Sequence, residues 1–570
     1  MKYKKWFLLD FISVFGFALV ELGIPTIISD MIDHGIETQD TTYLYSRFVL
    51  MAFISVIGVS GVVLLGYCCS KISTNITRDI RNDVFEHAQA FSAAEMEKFG
   101  VSSMITRTNN DAYQIMLFLN VILKSALLTP VMMCVSVMLI LKISLELSYV
   151  VLATIPVVIL GVIIVAKVSE PLSENQQKSI DHINQILREN ITGIRVIRSF
   201  NKQEYEKKRF SNENDFYRDQ SAKLFKLMSC TEPSFFFLMN IATVIVYYLS
   251  CTLLNTNAIT LGNVVAFVEY LFHVMMSVLI FCMVFMMYPR ANVSAKRILE
   301  VLDTKPSIVN DENSIQLESI QTLSFKDVTF SYPNGEEAVL KNIDFECQKG
   351  QKIAVIGSTG SGKSTLINLV PRFYDVTSGS ICVDGVDIRD VKQEDLRSRI
   401  GYVPQKGMLL SGDIESNLLY SKKDANAKDI ESALSISQST EFVSKKPEGI
   451  HCEISQGGTN VSGGQRQRLS IARAIVRKPE IYIFDDSFSA LDFKTDAKLR
   501  EALAKSCKET KSTVLLVAQR ISSILHADQI IVLDEGKMVG KGTHAELMES
   551  CDVYQQIASS QLTKEELANV

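Results

Sequence analysis

Hydrophobic and polar positions divide the chain into two unlike parts. Before Arg290 the apolar residues come in six long runs, 7–33, 47–70, 115–143, 147–168, 228–254 and 261–288. Each is long enough for a helix that crosses a hydrocarbon layer of roughly 30 Å. The first run is too long for a signal peptide and is followed by no small-residue cleavage site. After Arg290 the apolar segments are short. Leu323–Phe330 alternates like a half-buried strand, whereas Ile353–Ile356 and Ile481–Phe484 are continuous, as in strands covered on both faces. Leu366–Val370 and Leu469–Val476 read as helix starts. The pattern therefore predicts a membrane α-helical domain of six spans over 1–302. A polar linker over 303–319 and an α/β phosphate-loop domain over 320–570 follow.

The hydrophilic connectors alternate in length. Those after spans one, three and five are short and hold no Lys or Arg. The connector Lys71–Asp111 holds five, and Lys167–Lys226 holds twelve. Positive charge stays on the cytoplasmic side, so the N-terminus, both long connectors and everything after Arg290 are expected there. Apolar residues at helical spacing (Ile72, Ile76, Ile80, Val84; then Ile183, Ile186, Ile191, Ile194) carry the spans on as helices into the cytoplasm. Polar breaks near 108–111 and 201–206 are the expected places for short transverse helices.

Composition agrees with a chain half in lipid. Its 570 residues exceed one core, 47 % are hydrophobic, and the mean hydropathy is +0.17. A net charge of −5 gives no case for nucleic acid. The 11 cysteines are scattered without C-x-x-C pairs, as buried thiols would be. Asp10, Glu21, Lys124, Glu232, Glu269 and His273 lie in or near the spans, where charge is costly. Glu269 and His273 share a helix face, which offers a polar contact in a pathway; Glu232 precedes Pro233 and reads as a kink.

Chemistry concentrates in the second part. Gly357-Ser358-Thr359-Gly360-Ser361-Gly362-Lys363-Ser364 fits G-x-x-x-x-G-K-[ST] between a strand and a helix, with Thr365 next. Glycines let backbone N–H groups wrap a phosphate, and the helix N-terminus adds partial positive charge. Lys363 can reach the β and γ phosphates, and Ser364 can ligate Mg²⁺. Asp485, at the end of an apolar strand, sits where parallel sheets bind ligands and can hold the same ion. Tyr332 could stack on an adenine. A second turn, Ser462-Gly463-Gly464-Gln465, opens another helix and is a phosphate receptor by the same logic. Two receptors with one phosphate loop imply that the second serves a partner's nucleotide.

These motifs resemble an ABC transporter half of the exporter kind, six spans fused to one nucleotide domain, across essentially the whole chain. The resemblance identifies 357–364 with the Walker A loop, Tyr332 with the A-loop aromatic, and Gln405 with the Q-loop glutamine, a further Mg²⁺ contact. It identifies Val461–Gln465 with the signature, Asp485 with the Walker B aspartate, and Asp492 with the D-loop. It implies ATP and Mg²⁺ as ligands and head-to-tail dimers in which each ATP lies between one Walker A loop and the opposite signature.

Three positions depart from the family pattern. Asp486 stands where the catalytic glutamate is expected, Gln519 where a switch histidine is expected, and Gln456 where the X-loop has glutamate. Shortening a water-orienting base by one methylene can cost ~10²-fold in rate. With Asp486, Gln405 and Gln519 as the hydrolytic set, the resemblance implies a degenerate ATP site in one subunit of a heterodimeric multidrug exporter. Such a complex would move small hydrophobic compounds across a bacterial inner membrane; the short N-terminal segment, without accessory helices or a peptidase domain, agrees. A homodimer exporting drug, lipid or peptide with Asp486 as a slow base, and a nucleotide-gated membrane scaffold or sensor, are the alternatives.

Overall fold

The structure is a computed structural model that describes residues 2–333 and 335–561. The chain forms two compact units. One comprises Met1–Gln89 and Ser102–Thr304; the other comprises Ala90–Val101 and Lys305–Val570.

Among the described residues, six helices of the first unit are long and apolar enough to cross a membrane: Lys4–Ile36, Thr41–Gln89, Val101–Ile143, Leu145–Thr192, Gln203–Asn255 and Leu261–Asp303. They contain the six predicted runs and outrun them. Thr41–Gln89 has 49 residues. At 1.5 Å per residue that is more than twice the ~30 Å of a bilayer core. The sixth span carries the centre of the core, with Phe267, Tyr270, Leu271 and Val274 buried against Leu147, Ala242 and Val246. Several polar groups inside the bundle are satisfied between helices. Tyr270 and Thr26 share a hydroxyl–hydroxyl bond of 2.7 Å. Asp33 accepts from the Gly262 N–H at 2.8 Å and from Thr260 Oγ1 at 2.5 Å, tying the C-terminal end of span one to the start of span six. Only glycine allows this approach, since a Cβ at 262 would lie 2.2 Å from the Ser29 carbonyl. Asp10 accepts from Cys69 Sγ at 3.1 Å.

His273 Nε2 lies 3.6 Å from Glu21 Oε2 of span one. One expectation is corrected here: the short helices of the connectors are displaced, to Ala93–Phe99 and Ile194–Ser199. Residues 107–111 instead form a π-turn in the third span's helix, and Gln203–Glu206 already belong to the fifth. Local capping decides this. Ser92 Oγ accepts from the Ala94 N–H and Glu95 from the Ser92 N–H, a capping box that starts a helix, and Gly100 at φ 74° ends it. Gly193 and Asn201, at φ 52°, bound the second.

The second unit contains a sheet of ten strands among the described residues, with a separate two-stranded ribbon. In chain order the strands are β1 (Thr322–Phe330), β2 (Leu340–Gln348), β3 (Lys352–Gly357), β4 (Ser378–Val383), β5 (Val386–Asp387), β6 (Ile400–Val403), β7 (Gly412–Asp413), β8 (Glu453–Ile454), β9 (Ile481–Asp485), β10 (Thr513–Val517), β11 (Gln529–Asp534) and β12 (Lys537–Gly542). The sheet order is β5-β4-β1-β2-β12-β11-β3-β10-β9-β6, with β7 and β8 forming the ribbon. Strands β11, β3, β10, β9 and β6 run parallel, and Leu515 of β10 lies opposite both Ile353 and Ile483. Alternate residues of these strands enter two cores. Ala354, Ile356, Tyr482, Phe484 and Leu516 face one; Ile353, Val355, Ile481, Ile483 and Leu515 face the other. Coverage on both faces is what the continuous apolar runs predicted.

In β2 the alternation is strict from Ile343 to Gln348, with Phe345 buried and stacked on Phe325 at 4.4 Å while Asp344 is exposed. Truncation of Phe345 to alanine should destabilise the nucleotide unit by ~3–5 kcal/mol, the cost of emptying an aromatic site in a closed core. Asp344→Ala should change stability by less than ~0.5 kcal/mol. Thermal unfolding of the purified protein distinguishes the two; equal shifts would contradict the register.

Candidate nucleotide site

The phosphate loop turns at the C-terminal end of β3. Gly357, Gly360 and Gly362 have φ of 159°, 87° and 94°; the last two lie well within the left-handed region that favours glycine. At Gly357 the constraint is closeness, since a Cβ there would lie 2.1 Å from the Leu533 carbonyl. The helix Lys363–Leu369 follows at once, so Gly362, Lys363 and Ser364 bring their backbone N–H groups to its start. Lys363 Nζ donates to the Gly357 and Ser358 carbonyls at 3.0 and 2.6 Å and lies 3.4 Å from Ser361 Oγ. The ammonium is thus held over the loop, and burial lowers its pKa against the pull of Asp486 and Asp485.

A cavity of about 270 Å³ opens here, lined by Thr359, Gly360, Gly362, Lys363, Ser364, Thr365, Gln405, Asp485, Asp486 and Gln519, with Val339 and Val517. Ser364 Oγ donates to Asp485 Oδ1 at 2.8 Å. That pair of hard oxygen donors, so close together, suits a small divalent cation such as Mg²⁺. Burial raises the pKa of Asp485, opposed by the Ser364 hydrogen bond.

The next residue carries the departure seen in the sequence. Asp486 is buried at φ 45°, a left-handed conformation that Asp tolerates better than most side chains. Its Oδ2 accepts from Gln519 Nε2 at 2.8 Å and from Gln405 Nε2 at 3.3 Å. Two amides from two loops therefore converge on one carboxylate oxygen. Burial raises the Asp486 pKa, while the Gln405 bond and the charges of Lys363 and Arg520 oppose it. Gln405 thereby meets Asp486 and not the Ser364–Asp485 pair.

Tyr332 also lies beside the loop. Its hydroxyl bonds Thr365 Oγ1 at 2.9 Å, and its ring meets Tyr374 edge-on at 5.2 Å and Phe330 at 5.0 Å. Tyr374 in turn donates to Glu97 at 3.0 Å. Glu97 belongs to the short helix Ala93–Phe99, which is part of this unit despite its place between two spans. Sequence reading missed Tyr374 and that helix; the Ser92-x-x-Glu95 capping box was the available signal.

The signature residues lie outside the cavity lining. Ser462 caps the helix Gly463–Val476 by accepting from the Gln465 N–H at 3.3 Å, and Gln465 Oε1 accepts from the Ser462 N–H at 3.1 Å. Ser462 and Gly463 are exposed, and a Cβ on Gly463 would meet nothing within 4 Å. This helix start is open to a group from outside the chain. Asp492 is exposed and caps the helix Phe493–Thr510 through the Thr495 N–H at 3.0 Å.

Comparison with known proteins fits both units. Residues 7–278 match the family described as the ABC transporter transmembrane region, and 340–489 match the family described as ABC transporter. An uncharacterized ABC transporter ATP-binding protein of Bacillus subtilis is 34 % identical over 546 residues, covering 96 % of this chain and 94 % of that protein. An ATP-dependent lipid A-core flippase of Vibrio vulnificus is 30 % identical over 557 residues, covering 97 % and 95 %. The solved structure of a bacterial Atm1-family ABC exporter with ATP bound superposes with a TM-score of 0.80 at 22 % identity, over 98 % of this chain and 99 % of that one. That likeness gives the fold, and the identity shared along nearly the whole length gives the descent: the chain is a multi-pass membrane protein with a fused ATPase domain and belongs to the ABC transporter family.

Proposed function

We propose that this chain is one half of a heterodimeric ABC exporter in a bacterial cytoplasmic membrane, with both termini and the nucleotide domain on the cytoplasmic side. It contributes the slow ATP site. The observation that carries this reading is Asp486, one methylene short of a glutamate and held through a single oxygen by Gln405 and Gln519. A base fixed by two donors is less free to take a proton from water and reaches less far toward it.

In this reading the loop 357–365 and Lys363 bind the phosphates of ATP, and Tyr332 stacks on the adenine. Ser364 and Asp485 would hold Mg²⁺, which would supply positive charge to offset that of the phosphates. The open helix start at Ser462–Gln465 completes the partner's site. Two further observations support a partner and an apolar cargo. Leu187, Ile191 and Val196, on the charged second connector, are 42 %, 74 % and 60 % exposed in the single chain, a stripe that a second subunit would cover. A cavity of about 640 Å³ among spans three, four and six is lined almost wholly by apolar and sulfur-bearing side chains, Met133, Ile159, Phe281 and Phe285 among them. Its size is that of a small-molecule pocket. A related protein is a lipid A-core flippase, which agrees with a hydrophobic or amphipathic substrate.

Three outcomes are expected. Lys363→Ala should weaken ATP binding at this chain's site at least ~10-fold, because the main cation facing the β and γ phosphates is lost; unchanged photolabelling by an azido-ATP would refute the phosphate-loop assignment. Gly463→Trp should nearly abolish ATPase of the complex, since the indole fills the space a partner's γ-phosphate needs. Steady-state turnover of the Gly463→Trp complex is the check, and an active one would remove the partner-site role. Asp486→Asn should leave most turnover intact, whereas removing the glutamate that follows the partner's Walker B aspartate should cost ~10²-fold or more. Equal loss from either change would favour the homodimer-like reading with Asp486 as a working base.

A further inference from the structure

The helix Asp552–Gln561 closes the described part of the nucleotide unit. Tyr554 and Ala558 are fully buried in the core that also takes Leu516 and Val532, and the Tyr554 hydroxyl meets His544 Nδ1 at 2.7 Å. Gln561 follows Ala558 by three residues and Tyr554 by seven, so it leaves the helix on the same anchored face.

Its amide makes two bonds to one short stretch of chain. Nε2 donates to the Gln519 carbonyl at 2.8 Å, and Oε1 accepts from the Ile521 N–H at 2.9 Å. These backbone groups flank Arg520 just beyond the end of β10. The Ala518 N–H still bonds the Val355 carbonyl, and Ile521 begins a 3₁₀ turn over Ile521–Ser523. The first N–H groups of such a turn lack partners within it. One planar amide supplies the donor and the acceptor that a neighbouring strand would otherwise offer. From the same residue whose carbonyl is held, the Gln519 side chain reaches Asp486 Oδ2 at 2.8 Å. The C-terminal helix thus fixes from behind a loop whose Gln519 lines the cavity.

We propose that Gln561 is a positioning residue that holds Gln519 against Asp486 and so sets this chain's preference for a nucleoside triphosphate over a diphosphate. Gln519 and Asp486 line the same cavity as Lys363 and the glycine loop before it. They can meet a third phosphate, which a diphosphate lacks. Displacing Gln519 therefore weakens one nucleotide and spares the other. The inference does not depend on which subunit hydrolyses ATP, because it concerns binding to this chain alone.

The experiment uses the full-length protein in its native assembly in lipid nanodiscs with Mg²⁺. A photoreactive azido-ATP labels this chain, which is resolved from any partner by mass, and AMP-PNP or ADP competes. Gln561→Ala removes two neutral hydrogen bonds. It should raise the AMP-PNP concentration needed for half competition at least ~5-fold and leave that for ADP unchanged. Gln561→Glu keeps the acceptor for Ile521 but cannot donate to the Gln519 carbonyl, so it should show the same selective loss while amide exchange at Ile521 stays slow. In a Gln519→Ala background, Gln561→Ala should add nothing. Parallel weakening of both nucleotides by Gln561→Glu, no change with either variant, or effects that multiply in the double variant would each overturn the proposal.

Discussion

The nucleotide site depends on the parallel register of β3, β10 and β9. Leu515 stands opposite Ile353 on one side and Ile483 on the other, so β10 and β9 end level with Val355 while β3 runs on to Gly357. That stagger sets the phosphate loop after Gly357 beside Asp485 and lets Ser364 Oγ reach it at 2.8 Å. Side-chain direction alternates along a strand, so a slip of one residue in β9 would turn Asp485 away and bring a different group to Ser364. The double burial of these strands resists such a slip, because it would expose Phe484 and Tyr482 to the wrong core.

Around this fixed edge the functional side chains are held by segments far away in sequence. Asp486 is gripped by Gln405 and Gln519, which come from the ends of β6 and β10. Gln519 is itself held by Gln561 of the C-terminal helix. Tyr332 leans on Tyr374, and Tyr374 on Glu97 from the connector between spans two and three. The site is therefore less a motif than a convergence of loops, each with its own backbone anchor. Such second contacts decide how well a short carboxylate can act.

The membrane unit follows a different rule. Its apolar helices gain nothing from leaving water once they are in lipid, so close packing and interhelical hydrogen bonds specify their neighbours. Gly262 admits the Ser29 carbonyl, Asp33 caps span six, Tyr270 meets Thr26, and His273 meets Glu21. Each of these joins span one to span six.

Much of this was determined by sequence alone. Six apolar runs of spanning length, a G-x-x-x-x-G-K-S loop between strand and helix, and an apolar strand ending in Asp485 specify the spans, the phosphate cradle and its acidic partner. These are local patterns with a period or a fixed spacing, and local patterns can be read along the chain. The identity of Asp486 and Gln519 was also legible. Their joint bond was not, because it depends on which amide meets which oxygen across two loops. The short connector helices fell elsewhere than the polar breaks because a capping box at Ser92 and left-handed residues at Gly100 and Asn201 outweigh polarity in bounding them. His273 met Glu21, and Gln561 found the Gln519 loop, for one reason: partners separated by hundreds or tens of residues are set by packing, and packing exists only once the chain has folded.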